Sequence, residues 1–237
     1  MKTSAKLFLS ALLLAGTCAT ECAAQDWPNL NRYRSDNQTN LEARRNDPSD
    51  AQKSWVVFMG NSITQNWASM DPEFFTSHNY LGRGISGQTS PQMLLRFRQD
   101  VIDLSPKAVV ILAGTNDIAG NTGPSSVEMI MDNIESMVQL AQANDIEVVL
   151  CSVLPANRYG WAPDVKPADT IIELNRQIKA YAEANRIVYV DFYTPLVDDQ
   201  KGLNDAYGRD GVHPTIDGYK IMEPLVVEGI EKALSRR

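Results

Sequence analysis

Short runs of apolar residues alternate with more polar segments along most of the chain, from residue 55 to residue 190. The runs are rich in β-branched residues, and the first two end at a glycine. Continuous apolar runs of this length are typical of strands that are buried on both faces of a parallel sheet. The predicted strands cover residues 55–59, 79–81, 108–112, 146–150 and 187–190.

The segments between these runs carry apolar residues at the three- and four-residue spacing of amphipathic helices. Pro91 follows a Thr-Ser pair, which indicates a helix cap with a proline at the first helical position. Ser125 or Ser126 caps a second, longer helix. Pro224 lies inside the last predicted helix and should kink or restart it. The predicted helices cover about 91–100, 127–141, 169–184 and 215–237.

The repeated alternation of strand and helix predicts an α/β fold over residues 53–237, a three-layer α/β/α sandwich with a five-stranded parallel sheet. Residues 25–52 are polar and rich in Asn, Asp and Arg, so we expect an irregular N-terminal lead-in over the surface. Ligands of such sheets bind outside the carboxyl ends of the strands. Residues that directly follow the strands are therefore the first candidates for a functional site.

The first 24 residues carry the features of a signal peptide. Two lysines precede a short apolar stretch at 7–15, and small residues at 22–24 provide a cleavage site. These features predict a secreted or periplasmic protein. Two alternatives remain open. The Leu-Ala-Gly-Thr-Cys sequence at 14–18 resembles a lipobox with one residue inserted, which would make the protein a lipoprotein, and the apolar stretch could instead form a buried helix.

Charge and composition exclude several functional classes. The net charge is −7 without a cluster of Lys or Arg, which argues against nucleic acid or anionic membranes as partners. No other apolar run is long enough for a transmembrane segment. Outside the leader, Cys151 is the one cysteine, and its apolar neighbours predict a buried residue and not a nucleophile. With two histidines, the sequence predicts no metal site and no cofactor, and it does not indicate an oligomeric state.

Three of the predicted strands run directly into short polar motifs. Ser62 follows the first strand in a Gly-Asn-Ser turn, where it is either an exposed hydroxyl or a helix cap. Gly84 and Gly87 follow the second strand, and they form either an ordinary turn or a close approach to a ligand with an N–H pointing into the site. Asn116 follows the third strand in a Gly-Thr-Asn-Asp string. Its amide either stabilises developing negative charge or closes an Asx turn.

A fourth motif, Asp-Gly-Val-His-Pro, lies near the C-terminus. Three positions separate Asp210 from His213, and Gly211 between them lets the chain fold back. The carboxylate can then hold one ring nitrogen while the other faces a nucleophile. A metal site is the alternative for this spacing, but no second histidine or acidic cluster accompanies it. His78 has no comparable acidic neighbour and is expected to be structural.

Together and in this order, the four motifs resemble the SGNH or GDSL-like hydrolase family, and the resemblance spans residues 60–214. It implies a flavodoxin-like fold and a serine esterase. It further implies a catalytic triad of Ser62 as nucleophile, His213 as general base and Asp210 as the acid that orients the imidazole. The implied oxyanion hole comprises the backbone N–H groups of Ser62 and Gly87 and the side-chain amide of Asn116.

Two positions depart from the family pattern. Asn61 stands before the nucleophile where the family usually has Asp, although that position is not the acid of the triad. Asn is close to Asp in shape but uncharged, and it can donate as well as accept hydrogen bonds. Gly82 stands where relatives often carry Asn, which we expect to be tolerated.

The sequence limits the substrate only loosely. Signal-bearing relatives of this type often remove acetyl groups from polysaccharides, and the family includes platelet-activating-factor-acetylhydrolase-like enzymes. No large apolar insertion suggests a lipase lid, which favours a short acyl group and a carbohydrate O-acetylesterase. The alternatives are a lysophospholipase or thioesterase of the same family, and a glycan-binding protein without activity. Candidate substrate contacts are Trp67, Arg83, Tyr159 and Trp161, although the last two could simply pack their loop.

Overall fold

The computed structural model describes residues 25–236 and contains one parallel sheet of five strands. The strands are β1 (Val56–Gly60), β2 (Tyr80–Gly84), β3 (Ala108–Leu112), β4 (Glu147–Cys151) and β5 (Val188–Val190). Their order across the sheet is β2-β1-β3-β4-β5, and all neighbours are parallel. This is the order of a doubly wound, flavodoxin-like sheet, so the predicted fold class is confirmed.

Helices connect the strands and cover both faces of the sheet. Thr89 and Gln92 form a capping box at the start of one helix, and the Ser126 side chain accepts a hydrogen bond from a backbone N–H at the start of another. Short 3₁₀ helices lie at Asp50–Gln52 and Ile102–Leu104. The α-helices of the described residues are α1 (Arg34–Arg45), α2 (Ser62–Met70), α3 (Pro72–Ser77), α4 (Ser90–Asp100), α5 (Thr115–Ile118), α6 (Val127–Gln142), α7 (Ala168–Ala184), α8 (Tyr193–Leu196) and α9 (Ile216–Leu234).

The sheet separates two apolar cores, because successive side chains of a strand point to opposite faces. Val57 and Met59 of β1 lie in one core with apolar residues of α4, α6 and α7. Val56 and Phe58 lie in the other with apolar residues of α2, α3 and α9. This burial on both faces explains why the strands read as unbroken apolar runs.

Of the two effects predicted for Pro224, a kink or a restart of the helix, the restart is wrong, because α9 continues through this proline. Met222 and Val226, two positions before and after this proline, are both fully buried in the same core. Packing of this continuous apolar face holds the helix together across the proline. None of the helices among residues 25–236 is long and apolar enough to cross a membrane.

The N-terminal lead-in is not irregular, because residues 34–45 form α1. Tyr33 and Asn37 are buried against the domain, and the Tyr33 hydroxyl donates a hydrogen bond to the Gly84 carbonyl. Polar contacts of this kind leave no apolar periodicity in the sequence, which is why the helix was not predicted. Its one local signal is an acidic first turn and a basic last turn, which complement the helix dipole.

Cys151 and His78 both have the non-catalytic surroundings that the sequence predicts. Cys151, at the end of β4, is buried, and burial raises the pKa of its thiol far above the usual range. The His78 ring contacts the Phe74 carbonyl at 2.8 Å through Nδ1 and stacks on the Tyr80 ring, as a structural histidine does. The predicted signal peptide and the lipobox-like sequence lie outside the described residues.

Candidate active site

The candidate residues of the four motifs meet at the carboxyl edge of the sheet. Ser62 follows β1, Gly87 follows β2, and Asn116 follows β3, while His213 comes from the loop before α9. Because β1 lies between β2 and β3, the three motifs are neighbours in space. In a sheet of this order the β1/β3 boundary is the topological switch point, where ligands bind.

The Ser62 side chain is positioned by a tight connection between β1 and α2. A side chain at Gly60 would collide with the Thr64 hydroxyl, so the position needs glycine. The Asn61 carbonyl oxygen Oδ1 accepts a hydrogen bond from the Ile63 N–H at 2.9 Å and thereby caps α2. Asn and Asp cap helices about equally well, so Asn61 performs this structural role without the charge.

Ser62, His213 and Asp210 form one continuous chain of hydrogen bonds. The Ser62 Oγ lies 2.8 Å from His213 Nε2, and His213 Nδ1 lies 2.8 Å from Asp210 Oδ2. The other oxygen, Asp210 Oδ1, accepts from the backbone N–H groups of Val212 and His213 at 3.0 and 2.9 Å. Gly211 adopts a φ of +84°, which allows the chain to fold back between the acid and the imidazole.

The Asp210 carboxylate is held in its ionised form. Partial burial acts to raise its pKa, but the hydrogen bonds from His213 and Val212 outweigh burial, and the pKa lies below its usual range. An ionised acid fixes the ring orientation and leaves Nε2 free to accept a proton. A hydroxyl, imidazole and carboxylate in this order can carry out nucleophilic acyl transfer.

The loop after β2 presents a free backbone donor beside Ser62. Gly87 has a φ of +78°, and the Gln88 N–H closes the turn by donating to the Ile85 carbonyl at 3.2 Å. The Gly87 N–H donates to no acceptor among residues 25–236. The Asn116 amide donates to the Gln88 carbonyl at 2.9 Å, which brings the loops after β2 and β3 together. These groups can stabilise an oxyanion that develops near Ser62.

Asp117 is a buried carboxylate that joins the same two loops. It accepts hydrogen bonds from the Ser90 N–H and from the Ser90 hydroxyl, the latter at 2.6 Å. Burial raises the pKa of Asp117, although the hydrogen bonds from Ser90 oppose this effect. The carboxylate therefore attaches the start of α4 to the start of α5, next to Asn116.

A pocket of about 220 Å³ opens over these groups. Trp161 projects into it from the loop after β4, and 46% of this residue is exposed. The indole Nε1 donates to Asn121 Oδ1 at 2.9 Å. The pocket is lined by Ser62, Ser86, Gly87, Asn116, Asn121, Trp161 and His213.

Two candidate substrate contacts are not at the pocket. Trp67 is 1% exposed and lies between the rings of Phe74 and Tyr219 in the core, because its position on α2 faces the sheet and α9. Arg83 lies within β2 and is 4% exposed. Its guanidinium contacts the Tyr33 ring and donates to Asn37 Oδ1. The predictions for both residues are wrong, since neither side chain reaches solvent.

Tyr159 is also buried, so the prediction of a direct substrate contact is wrong for this residue. Its ring stacks on Trp161 with centroids 5.0 Å apart and lies in the apolar core. The loop after β4 therefore buries one aromatic ring and presents the other. Trp161 is the one of the four candidate contacts that lines the pocket.

Sequence reasoning missed two pocket residues, Ser86 and Asn121. Ser86 lies beside Gly87 in a loop that the sequence did identify. Asn121 follows α5, and neither its spacing nor its neighbours distinguish it from an ordinary loop residue. Its side-chain partners, Gly87 and Trp161, are 34 and 40 positions away in the chain, so no local signal indicates these contacts.

Comparisons with known proteins agree with this geometry. Residues 58–221 match the model of the GDSL-like lipase/acylhydrolase family. The crystal structure of a GDSL-like lipase from Bacteroides thetaiotaomicron VPI-5482 is 50% identical, with a TM-score of 0.81 over 87% of this chain and 98% of that chain. A catalytic mutant of the acetylxylan esterase Axe2 from Geobacillus stearothermophilus shares the fold at 19% identity, with a TM-score of 0.61 over 75% of this chain and 94% of that chain.

A further relative is YqeF of Bacillus subtilis (strain 168), whose name describes it as an uncharacterized lipoprotein. It is 33% identical over 177 residues, which cover 64% of this chain and 71% of the relative. The family model shows the family, and the order of the strands in the sheet is consistent with it. This chain belongs to the GDSL-like lipase/acylhydrolase family and is a carboxylic ester hydrolase.

Proposed function

We propose that this protein is an exported serine esterase that removes acetyl groups from carbohydrate. The observation that carries the proposal is the hydrogen-bonded series Ser62–His213–Asp210. Ser62 and His213 line a small open pocket beside the Gly87 N–H, which has no acceptor within the described part of the chain. The nucleophile is Ser62, the general base is His213, and Asp210 orients the imidazole. The oxyanion hole consists of the Ser62 and Gly87 N–H groups and the Asn116 amide.

Hydrolysis follows in two acyl-transfer steps. Ser62 Oγ attacks the acetyl carbon while His213 Nε2 accepts the hydroxyl proton, and the carbonyl electron pair moves onto oxygen. The tetrahedral intermediate then collapses, the bond to the sugar oxygen breaks, and His213 returns the proton to the leaving alcohol. Water attacks the acetyl-enzyme as His213 takes its proton, and acetate leaves as Ser62 is protonated again.

The pocket supports a short acyl group on a sugar. Its volume of about 220 Å³ accommodates an acetyl group, and apart from Trp161 the residues that line it are small or polar. The exposed indole of Trp161 lies at the rim of the pocket, and one face of it stacks on the buried Tyr159 ring. An exposed, rigid aromatic face beside a polar site is suited to stacking on a sugar ring.

Export is supported by the signal-like sequence of the first 24 residues and by the lipoprotein relative. Cell fractionation of the full-length protein tests it, with fatty-acid labelling of the wild type and Cys18→Ser in parallel. Label on the wild type alone would identify a lipid anchor on Cys18. A cleaved, unlabelled product in the periplasm or medium would identify the free secreted form. A full-length cytoplasmic protein would contradict export.

The activity is tested by acetate release from acetylated xylan, acetylated pectin and O-acetylated sialic acid. The mature domain and Ser62→Ala are assayed together, with p-nitrophenyl acetate as a small substrate. Release by the wild type alone would support both the nucleophile and the carbohydrate. Cleavage of p-nitrophenyl acetate without release from any glycan would refute the carbohydrate assignment.

Two other outcomes distinguish the alternatives. Preference for long-chain over acetyl p-nitrophenyl esters would contradict the short acyl group and favour a lysophospholipase or thioesterase. Equal activity of Ser62→Ala and wild type would remove Ser62 as nucleophile. Binding of glycans by a wild type that cleaves no ester would identify a non-catalytic binding protein on this scaffold.

A further inference from the structure

Asn121 is connected to each side of the pocket by a separate hydrogen bond. Its backbone N–H donates to the Asn116 carbonyl at 3.0 Å. Its side-chain Nδ2 donates to the Gly87 carbonyl at 3.0 Å, and its Oδ1 accepts from Trp161 Nε1 at 2.9 Å. One residue therefore holds the backbone carbonyls of two residues that supply proposed oxyanion donors, and it also holds the aromatic side chain at the rim of the pocket.

The contact with Gly87 holds the peptide group that follows the one carrying the free N–H, because the Gly87 carbonyl belongs to the Gly87–Gln88 peptide. On one side of the peptide group with the free N–H, the Ser86 N–H donates to Gln65 Oε1 at 2.8 Å. On the other side, Asn121 holds the Gly87 carbonyl. A glycine with positive φ has many accessible conformations, so a donor on such a residue needs partners on both sides to be pre-oriented.

The contact with Trp161 fixes the orientation of the indole. The Tyr159 ring supports one face, with an angle of 23° between the two ring planes. Stacking alone leaves the ring free to slide and rotate in its plane. The hydrogen bond from Nε1 to Asn121 removes this freedom and aligns the ring with the pocket.

We propose that Asn121 is a positioning residue that couples the acetyl-binding and sugar-binding halves of the site. It sets the Gly87 N–H for the oxyanion and Trp161 for the sugar ring through the two ends of one amide. The sugar-binding part of this inference rests on the proposed carbohydrate substrate, whereas the Gly87 part applies to any acetyl ester. Asn121 does not react, so its effects are expected to divide between kcat and KM.

The test uses one variant that removes both hydrogen-bonding ends of the Asn121 amide and one that removes the Trp161 donor bound to a single end. Asn121→Leu removes both and should lower kcat for p-nitrophenyl acetate and raise KM for acetylated glycan, each about three- to tenfold, the value of one hydrogen bond. Trp161→Phe keeps the stacking but loses Nε1, so it should raise KM for the acetylated glycan. In the Asn121→Leu background, Trp161→Phe should have no further effect on this KM.

Asn144→Leu is the matched control. Like Asn121, Asn144 is an exposed residue that donates its side-chain amide to a backbone carbonyl, that of Leu140, but it lies at the end of α6. It should leave both substrates unchanged. Wild-type kcat for p-nitrophenyl acetate in Asn121→Leu would overturn the Gly87 contact. Additive effects of Asn121→Leu and Trp161→Phe on KM would overturn the coupling. Failure of the carbohydrate assignment itself would appear separately, as a wild type that releases no acetate from any glycan.

Discussion

Arg96 and Asp100 form an ion pair with 3.0 Å between Nη1 and Oδ2, and neither side chain is exposed to solvent. Arg96 also donates to the Gly60 carbonyl at 3.0 Å and to Gln88 Oε1 at 2.6 Å. The pair thus lies beneath both the turn that precedes Ser62 and the loop that carries Gly87. It connects the nucleophile turn with the oxyanion loop from inside the domain.

Asp100→Asn should destabilise the fold strongly, because it leaves the Arg96 charge buried without a counter-ion. Removing one partner of a buried pair costs about 3–5 kcal/mol in the free energy of unfolding. Urea unfolding followed by circular dichroism measures the difference. Asp103→Asn is the control, since this exposed carboxylate lies 4.0 Å from Arg98 and should change stability by less than about 0.5 kcal/mol. Equal stability of the two variants would contradict a structural role for the pair.

Asn116→Ala should reduce turnover without unfolding the protein. Loss of one oxyanion donor lowers kcat by about 10²–10³-fold, which corresponds to roughly 3–4 kcal/mol. Steady-state kinetics with p-nitrophenyl acetate, together with the thermal midpoint, test this expectation. Asn133→Ala serves as the control, because Asn133 supports Ser90 at 3.1 Å but does not line the pocket. A folded Asn116→Ala with wild-type kcat would remove Asn116 from the oxyanion hole.

The strands and the four motifs could be predicted because their signals are local. Apolar runs mark strands that are buried on both faces, and polar motifs at their carboxyl ends mark the edge where ligands bind. Side-chain direction is not local. Trp67 follows Ser62 by five positions on the same helix, yet it faces the core, and Arg83 belongs to β2 and not to the loop after it.

Polar contacts between residues that are distant in the chain could not be predicted from the sequence either. The α1 helix is attached through hydrogen bonds of Asn37, whose side chain contacts Asp100 and Arg83. Such contacts need no apolar stripe, so the segment reads as a surface loop. The same holds for Asn121, whose partners come from two other loops. Packing of side chains from distant segments, and not local propensity, decides these features.

Trp67→Phe should reduce stability and leave catalysis unchanged. The indole packs between Phe74 and Tyr219 with centroid distances of 5.5 and 5.4 Å, so a smaller ring leaves a cavity in the core. We expect a loss of about 1–3 kcal/mol for Phe, compared with about 3–5 kcal/mol for alanine. Trp27→Ala, at an exposed position, should be nearly neutral. A change in KM for acetylated glycan in folded Trp67→Phe would return Trp67 to the candidate substrate contacts.

Asp71→Asn should produce a loss of stability that depends on pH. Asp71 caps α3 through the Phe74 N–H at 3.1 Å and pairs with Lys220 of α9. The hydrogen bond from Lys220 is the main cause of a lowered pKa of Asp71, and partial burial opposes it. Asn retains the cap but loses the pairing, so the expected cost at pH 7 is about 0.5–1 kcal/mol.

The sign of the pH dependence follows from the lowered pKa of Asp71. A carboxylate whose pKa is lower in the folded state stabilises the protein above its unfolded pKa of about 3.9 and loses this contribution as the pH falls through the folded value. The difference between wild type and Asp71→Asn should therefore be constant from pH 7 to pH 5 and shrink below pH 4, as measured by urea unfolding. Lys220→Gln should reproduce the loss at pH 7, and adding Asp71→Asn to it should cost little more. A difference that persists undiminished at pH 2 would show that Asp71 acts through its cap or its packing, and not through its charge.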